Sequence, residues 1–144
     1  MSNRELVVLG TASQANVSIY HDTLLVRERV HLSDVSEPRR GQKFAFIMDT
    51  RLCDAAFELA DDADLLVCES TFANADADLA DGYGHLTAGQ AGQIAQAAGA
   101  RRLVLTHFSQ RYTGTAELLR DAAAAYDGDI VIAADLDRVP VPPR

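Results

Sequence analysis

Short apolar runs alternate with longer stretches of helical periodicity along the chain. The runs at 5–9, 44–48, 64–68, 102–105 and 130–132 lack strict alternation of apolar and polar positions, which predicts strands covered on both faces. Between them, Leu52, Ala55, Ala56, Leu59 and Ala60 recur at helical spacing and predict an amphipathic helix over 51–61. A second helix is expected to begin at Thr87. Thr87 and Gln90 have capping-box spacing, Ala88, Ala91, Ala95 and Ala98 form a stripe of small residues, and Gly99 supplies a stop. A third, over 115–126, sets Leu118, Leu119, Ala122 and Ala123 on one side. This order predicts an α/β fold, a sheet layer with helices packed on it. Residues 15–42 are less patterned, although 23–26 read as a possible strand. The proline-rich run at 139–143 continues neither a helix nor a central strand.

The ends of the strand-like runs carry the candidate chemistry. Asp49 follows the second run, Glu69 the third, and His107 closely follows the fourth. In a sheet of aligned strands these ends converge on one edge, where rigid elements hold side chains whose backbones are already satisfied. An acid and an imidazole meeting there suit a divalent metal such as zinc. His85 lies just before the cap of the second helix. Each residue also has a structural reading. Asp49-Thr50 suits a helix cap, Glu69-Ser70-Thr71 a turn, and a histidine after a strand a hydrogen-bonded packing role.

Composition narrows the classes. The chain has 144 residues, 48% of them apolar and 24% charged, which fits one domain of ordinary size. No apolar stretch is long enough for a bilayer helix and the amino terminus lacks a basic-then-apolar leader, so no membrane contact and a cytoplasmic location are expected. Cys53 and Cys68 lie in apolar segments and read as buried thiols. A formal net charge of −8 excludes an indiscriminate nucleic-acid coat, so any RNA contact is expected to be local. Basic residues gather at Arg39, Arg40 and Lys43, at Arg101 and Arg102, and at Arg111.

Taken together, Met48-Asp49-Thr50-Arg51, Cys68-Glu69-Ser70-Thr71-Phe72, Gly84-His85-Leu86-Thr87 and Leu105-Thr106-His107-Phe108-Ser109-Gln110-Arg111-Tyr112 resemble the carboxyl-terminal half of the ribonuclease Z family. Glu5-Leu-Val-Val-Leu-Gly-Thr-Ala-Ser13 is similar to its first strand and the turn after it. The resemblance implies a metallo-β-lactamase-like fold, here partial: 1–14 as a first-strand segment, 15–34 as a junction, and 35–144 as the carboxyl-terminal half of a single incomplete domain. It also implies zinc-dependent removal of the 3′ trailer from precursor tRNA, two zinc ions, and a homodimer. By the same resemblance, Asp49 and His107 are metal ligands, His85 acts on the leaving oxygen or the scissile phosphate, Glu69 orients His85, and Arg111 contacts substrate.

One part of the family pattern is missing. The signature His-x-His-x-Asp-His, which supplies most metal ligands and the aspartate that polarises the attacking water, occurs nowhere in the sequence. His21 and His31 lie outside any such cluster and read as surface or packing residues. The basic, glycine-rich arm that grips tRNA in the family also has no counterpart. Two ligands are fewer than a catalytic zinc normally keeps, so this chain alone is expected to be inactive. The alternatives are a noncatalytic dimerising remnant of the fold and another hydrolase of the same fold.

Overall fold

The computed structural model describes residues 41–144 throughout and, before them, residues 6–7, 18–21, 24–27, 31, 35 and 36. Two compact units divide at Arg40 and Gly41. In the first, β1 (Leu6–Val7), β2 (Ser18–His21) and β3 (Leu24–Arg27) form an antiparallel sheet in the order β1-β2-β3. Leu6 pairs with Ile19, and Ser18 with Arg27. The run read as a strand at 5–9 is thus described only as β1, and the possible strand at 23–26 corresponds to β3. His21 ends β2, while His31 is exposed.

The second unit is a parallel sheet of β4 (Phe44–Ile47), β5 (Leu65–Glu69), β6 (Arg102–Thr106) and β7 (Asp129–Ile132), ordered as in the chain. Each parallel pair is joined through helix: α1 (Asp54–Ala60) after β4, α2 (Ala77–Tyr83) and α3 (Ala88–Ala97) after β5, and α4 (Ala116–Ala123) after β6. Register aligns Phe46 with Val67, Val67 with Val104, and Val104 with Val131. The strands therefore end together, and the loops that leave them share one edge.

The core lies between the sheet and its helices. Ala45, Ile47, Leu66, Cys68, Leu103 and Leu105 meet Ala91, Ile94 and Ala95 of α3 and Leu118 and Ala122 of α4. Small residues on α3 permit close approach: a Cβ on Gly92 would stand 2.6 Å from the Ala122 carbonyl oxygen. The capping box forms as its spacing predicts, with Thr87 Oγ1 accepting from the Gln90 amide at 3.2 Å and Gln90 Oε1 accepting from the Thr87 amide at 2.9 Å. Gly99 follows α3 in the left-handed region at φ 61°.

Two expectations need correction, and one helix is not foreseen. β4 does alternate, with Ala45 and Ile47 buried while Phe44 and Phe46 remain 56% and 52% exposed. β4 is an edge strand, and among the described residues no helix covers its second face. Cys53 is exposed because it precedes the first turn of α1 on the solvent side, whereas Cys68 is buried inside β5. Helix α2, with a preceding 3-10 turn at Asn74–Asp76, falls where the sequence shows no helical periodicity.

The proline-rich tail lies along the lower edge of the sheet, opposite the candidate site. Gln42 donates to the carbonyls of Val141 and Pro142, Arg101 to that of Pro143, and Arg102 to that of Pro140. Arg101 and Arg144 also pair with Asp64, whose carboxylate is fully buried. Burial pushes the Asp64 carboxyl up. The Lys43 amide and the two guanidinium groups outweigh that effect and hold it below its ordinary value. Among the described residues, no helix is long and apolar enough to cross a membrane.

Candidate functional site

Three chain segments leave the upper edge of the sheet and converge. Asp49 follows β4 and His107 follows β6; both adopt the left-handed region, at φ 50° and 58°. That conformation is costly for residues with a Cβ and turns each side chain off its strand direction. His85 arrives by another route. Gly84 closes α2 in the left-handed region at φ 78°, and the His85 amide donates to the Ala80 carbonyl at 2.8 Å. Phe72 then bridges to Thr87. The Phe72 amide donates to the Leu86 carbonyl and the Ala88 amide to the Phe72 carbonyl, so the histidine is held beside the end of β5.

The result is a compact triad. Asp49 Oδ1 stands 3.4 Å from His107 Nε2 and 3.7 Å from His85 Nδ1. The two imidazole centroids are 5.2 Å apart. One potential donor atom from each of the three residues falls within a 4.8 Å cluster that could hold a metal ion. Arg51 supports the assembly from outside, donating to the Asp81 carbonyl at 2.9 Å and pairing with the Asp81 carboxylate at 3.4 Å.

Beneath the triad lies Glu69, the last residue of β5, whose side chain is fully buried. Its Oε1 accepts from the Thr50 amide at 2.7 Å. Its Oε2 accepts from the Thr71 hydroxyl at 2.6 Å, the Leu86 amide at 3.2 Å and His85 Nδ1 at 3.0 Å. One carboxylate thus ties together the loops that carry Asp49 and His85, and through Thr71 it reaches His107. A buried acid is tolerated because both oxygens are supplied with donors.

The same network fixes the ring tautomers. A hydroxyl has one proton, and a carboxylate only accepts, so Thr71 donates to Glu69 and must accept from His107 Nδ1 at 2.7 Å. His107 therefore donates from Nδ1, which leaves Nε2, the nitrogen that faces Asp49, as the one open to a metal ion. His85 likewise commits Nδ1–H to Glu69, which leaves Nε2 as its second functional nitrogen. Sequence reasoning does not single out Thr71. Its importance depends on a partner 36 positions away, which local spacing does not reveal.

Arg111 sits beside the triad rather than in it. Its guanidinium pairs with Asp76 at 3.1 Å and lies over the Phe72 ring at 5.9 Å from the centroid. Tyr112 donates to the same Asp76 carboxylate at 2.5 Å and accepts from the Ala73 amide at 2.8 Å. Burial, followed by the bond to Asp76, raises the Tyr112 phenol above its ordinary value. The segment after β6 is thereby fastened to the segment after β5. Arg101 and Arg102, the other basic pair, serve the opposite edge of the sheet.

The donor set fits a divalent cation. Two ligands bound to one tetrahedral zinc at about 2.0–2.1 Å stand about 3.3 Å apart, close to the 3.4 Å between Asp49 Oδ1 and His107 Nε2. A carboxylate oxygen and a neutral imidazole nitrogen, the latter steadied by a hydrogen bond on its far side, are the donor types such an ion takes.

Comparison with known proteins identifies the family. The beta-lactamase superfamily domain matches residues 21–108. The chain is 60% identical over 116 residues to "Ribonuclease Z" of Streptomyces coelicolor, a match spanning 80% of this chain and 38% of that protein. It is 55% identical over 123 residues to "Ribonuclease Z" of Nocardia farcinica, across 85% of this chain and 40% of the relative. It thus spans roughly two-fifths of the length of these curated relatives. The crystal structure of the short form of human tRNase Z superposes with a TM-score of 0.55 at 26% identity, over 95% of this chain and 47% of that one. The metallo-beta-lactamase fold protein YhfI from Bacillus subtilis shares the fold, with a TM-score of 0.57 at 22% identity over 90% of this chain and 46% of its own. By its α/β architecture and the domain matched across more than half its length, the chain belongs to the beta-lactamase superfamily and is ribonuclease Z-like in sequence.

Proposed function

We propose that Asp49, His85 and His107 form the carboxyl-terminal part of a metal-dependent phosphodiesterase centre whose whole-length activity is removal of the 3′ trailer from precursor tRNA. The observation that carries this reading is the 3.4 Å separation of Asp49 Oδ1 and His107 Nε2 over a tautomer-fixing network. Asp49 and His107 would hold a zinc ion. Such an ion supplies Lewis-acid polarisation of a phosphoryl oxygen.

The remaining roles belong to the protein. Glu69 holds His85 by Nδ1 and leaves Nε2 to deliver a proton to, or hydrogen-bond, the departing 3′ oxygen. Thr71 keeps His107 in the tautomer that presents Nε2 for coordination. Arg111 steadies the adjoining wall of the site toward the RNA. With two ligands of the family set and no counterpart of the signature aspartate, this chain binds metal weakly and does not cleave RNA alone.

The reading includes a cytoplasmic location and a homodimer. Phe44 and Phe46, exposed on the edge strand with their rings stacked 6.4 Å apart, favour association between copies. Light scattering at micromolar concentration checks this point, and a monomer counts against it.

The decisive experiment titrates the 144-residue chain with zinc or cobalt(II) beside Asp49→Ala and His107→Ala, then offers each a precursor tRNA with the metal present. Saturable binding by the parent, weakened in both variants and without cleavage, is the expected result. A parent that binds no metal overturns the metal-centre reading, and trailer cleavage by the parent overturns the inactivity.

A further inference from the structure

Next to the triad lies a hollow of about 440 Å³, bounded by Phe72, Leu79, Tyr83, His85, Ser109 and Arg111. This volume is within the range of small-molecule sites, about 300–1,000 Å³. His85 belongs to both the triad and the hollow, so whatever occupies the hollow lies beside the reacting group.

The walls are flat and weakly charged. Phe72 and Tyr83 stack at 6.3 Å between centroids with 14° between their planes. Tyr83 is 72% exposed, so its ring is open to a ligand from solvent. Arg111 places its guanidinium over Phe72, and its charge is already met by Asp76 at 3.1 Å. A phosphate would find no unpaired cation among these residues. A planar heteroaromatic ring would find the exposed Tyr83 phenol and the Arg111 guanidinium plane to stack on, both backed by the buried Phe72 ring.

We propose that this hollow seats one unpaired nucleobase, the base attached to the phosphodiester that faces His85. The assignment rests on the phosphodiesterase reading and adds a base-stacking subsite, built from Tyr83, Phe72 and Arg111, to it. Stacking on π-faces accepts any base, so the subsite orients the strand without reading its sequence. Arg111 acts in it as a plane held in place by Asp76, a positioning residue and not a phosphate clamp.

The test uses the full chain and 2-aminopurine riboside monophosphate, whose fluorescence is quenched on stacking, with ribose 5-phosphate and inorganic phosphate as separate competitors. The nucleotide is expected to bind about 5- to 100-fold more tightly than ribose 5-phosphate. Tyr83→Ala should abolish that advantage and Tyr83→Phe retain it. Adenosine and uridine monophosphates should compete to within a few-fold of each other. Because Tyr83 is exposed, an unchanged melting temperature verifies the folding of both variants.

Equal binding of nucleotide and ribose 5-phosphate, no saturable quenching at millimolar nucleotide, or an unaffected Tyr83→Ala overturns the subsite. Displacement by inorganic phosphate as effectively as by nucleotide would assign the hollow to the phosphate and also overturn it. Metal titration separates the two claims: base binding lost with cobalt(II) binding intact fails the subsite alone, and the converse fails the metal centre alone.

Discussion

Thr71 Oγ1 lies 2.7 Å from His107 Nδ1 and is the group that decides which nitrogen of that imidazole faces Asp49. Its single proton is spent on Glu69, at 2.6 Å, so the histidine must be the donor. Replacing Thr71 by valine keeps the shape and removes both bonds. Metal affinity should fall about 10- to 100-fold, as is usual when the outer partner of a ligating histidine is lost. Stability should drop by about 1–2 kcal/mol, since Glu69 loses one of its buried donors. Cobalt(II) titration and urea denaturation measure the two effects; unchanged metal affinity would contradict the assigned tautomer.

Gly92 and Gly82 should respond in opposite directions to alanine. A Cβ on Gly92 would stand 2.6 Å from the Ala122 carbonyl oxygen and 3.1 Å from Ala125 Cβ, so the α3–α4 contact must open. Gly92→Ala is expected to cost about 1–3 kcal/mol despite its better helix propensity. Gly82, in α2, has no atom within 4 Å of that position. Gly82→Ala should therefore stabilise by about 0.5–1 kcal/mol. Denaturant midpoints for the two variants test the packing of α3 directly.

Asp64 sets an acid limit on stability. Its carboxyl is held below the ordinary value of 3.8, so the native state binds this proton less readily than the unfolded chain. The stabilisation is therefore complete above the ordinary range and is lost as pH falls below 3.8 through the lower native value. Asp64→Asn should be less stable than the parent at neutral pH, with the gap closing in acid. Thermal melts from about pH 2 to about pH 7 show whether the two curves converge.

The two thiols should differ sharply in reactivity. Cys53 is exposed, and Cys68 is buried in β5, where burial and the neighbouring Glu69 push its thiol far above the ordinary value. One thiol is expected to react with a disulfide reagent in the native protein, and Cys53→Ser should remove it. The second should appear only on denaturation.

Much of the fold is readable where local chemistry and final position coincide. The Thr87–Gln90 box and the alanine stripe behind it need only neighbours three and four residues away, and both form as expected. Asp49, Glu69 and His107 can be singled out because parallel strands carry their ends to one edge. Helix α2 is not visible: Ala-Asp-Leu-Ala-Asp-Gly-Tyr has one strong apolar anchor, a glycine and two aspartates, and its stop depends on Gly84. Thr71 and Asp64 escape notice for a different reason. Their partners, His107 and Arg144, lie 36 and 80 positions away, and only the folded chain brings them together.

The left-handed backbone at Asp49 and His107 has a wider meaning. Glycine would occupy either strand end without the penalty of roughly 1–2 kcal/mol that a Cβ incurs there. The chain instead keeps an acid at one corner and an imidazole at the other, so each turn sacrifices backbone ease to aim a reactive side chain. These two corners are where durability and chemistry make opposing demands on the molecule, and where a search for hardier variants would first erase the trace of its trade.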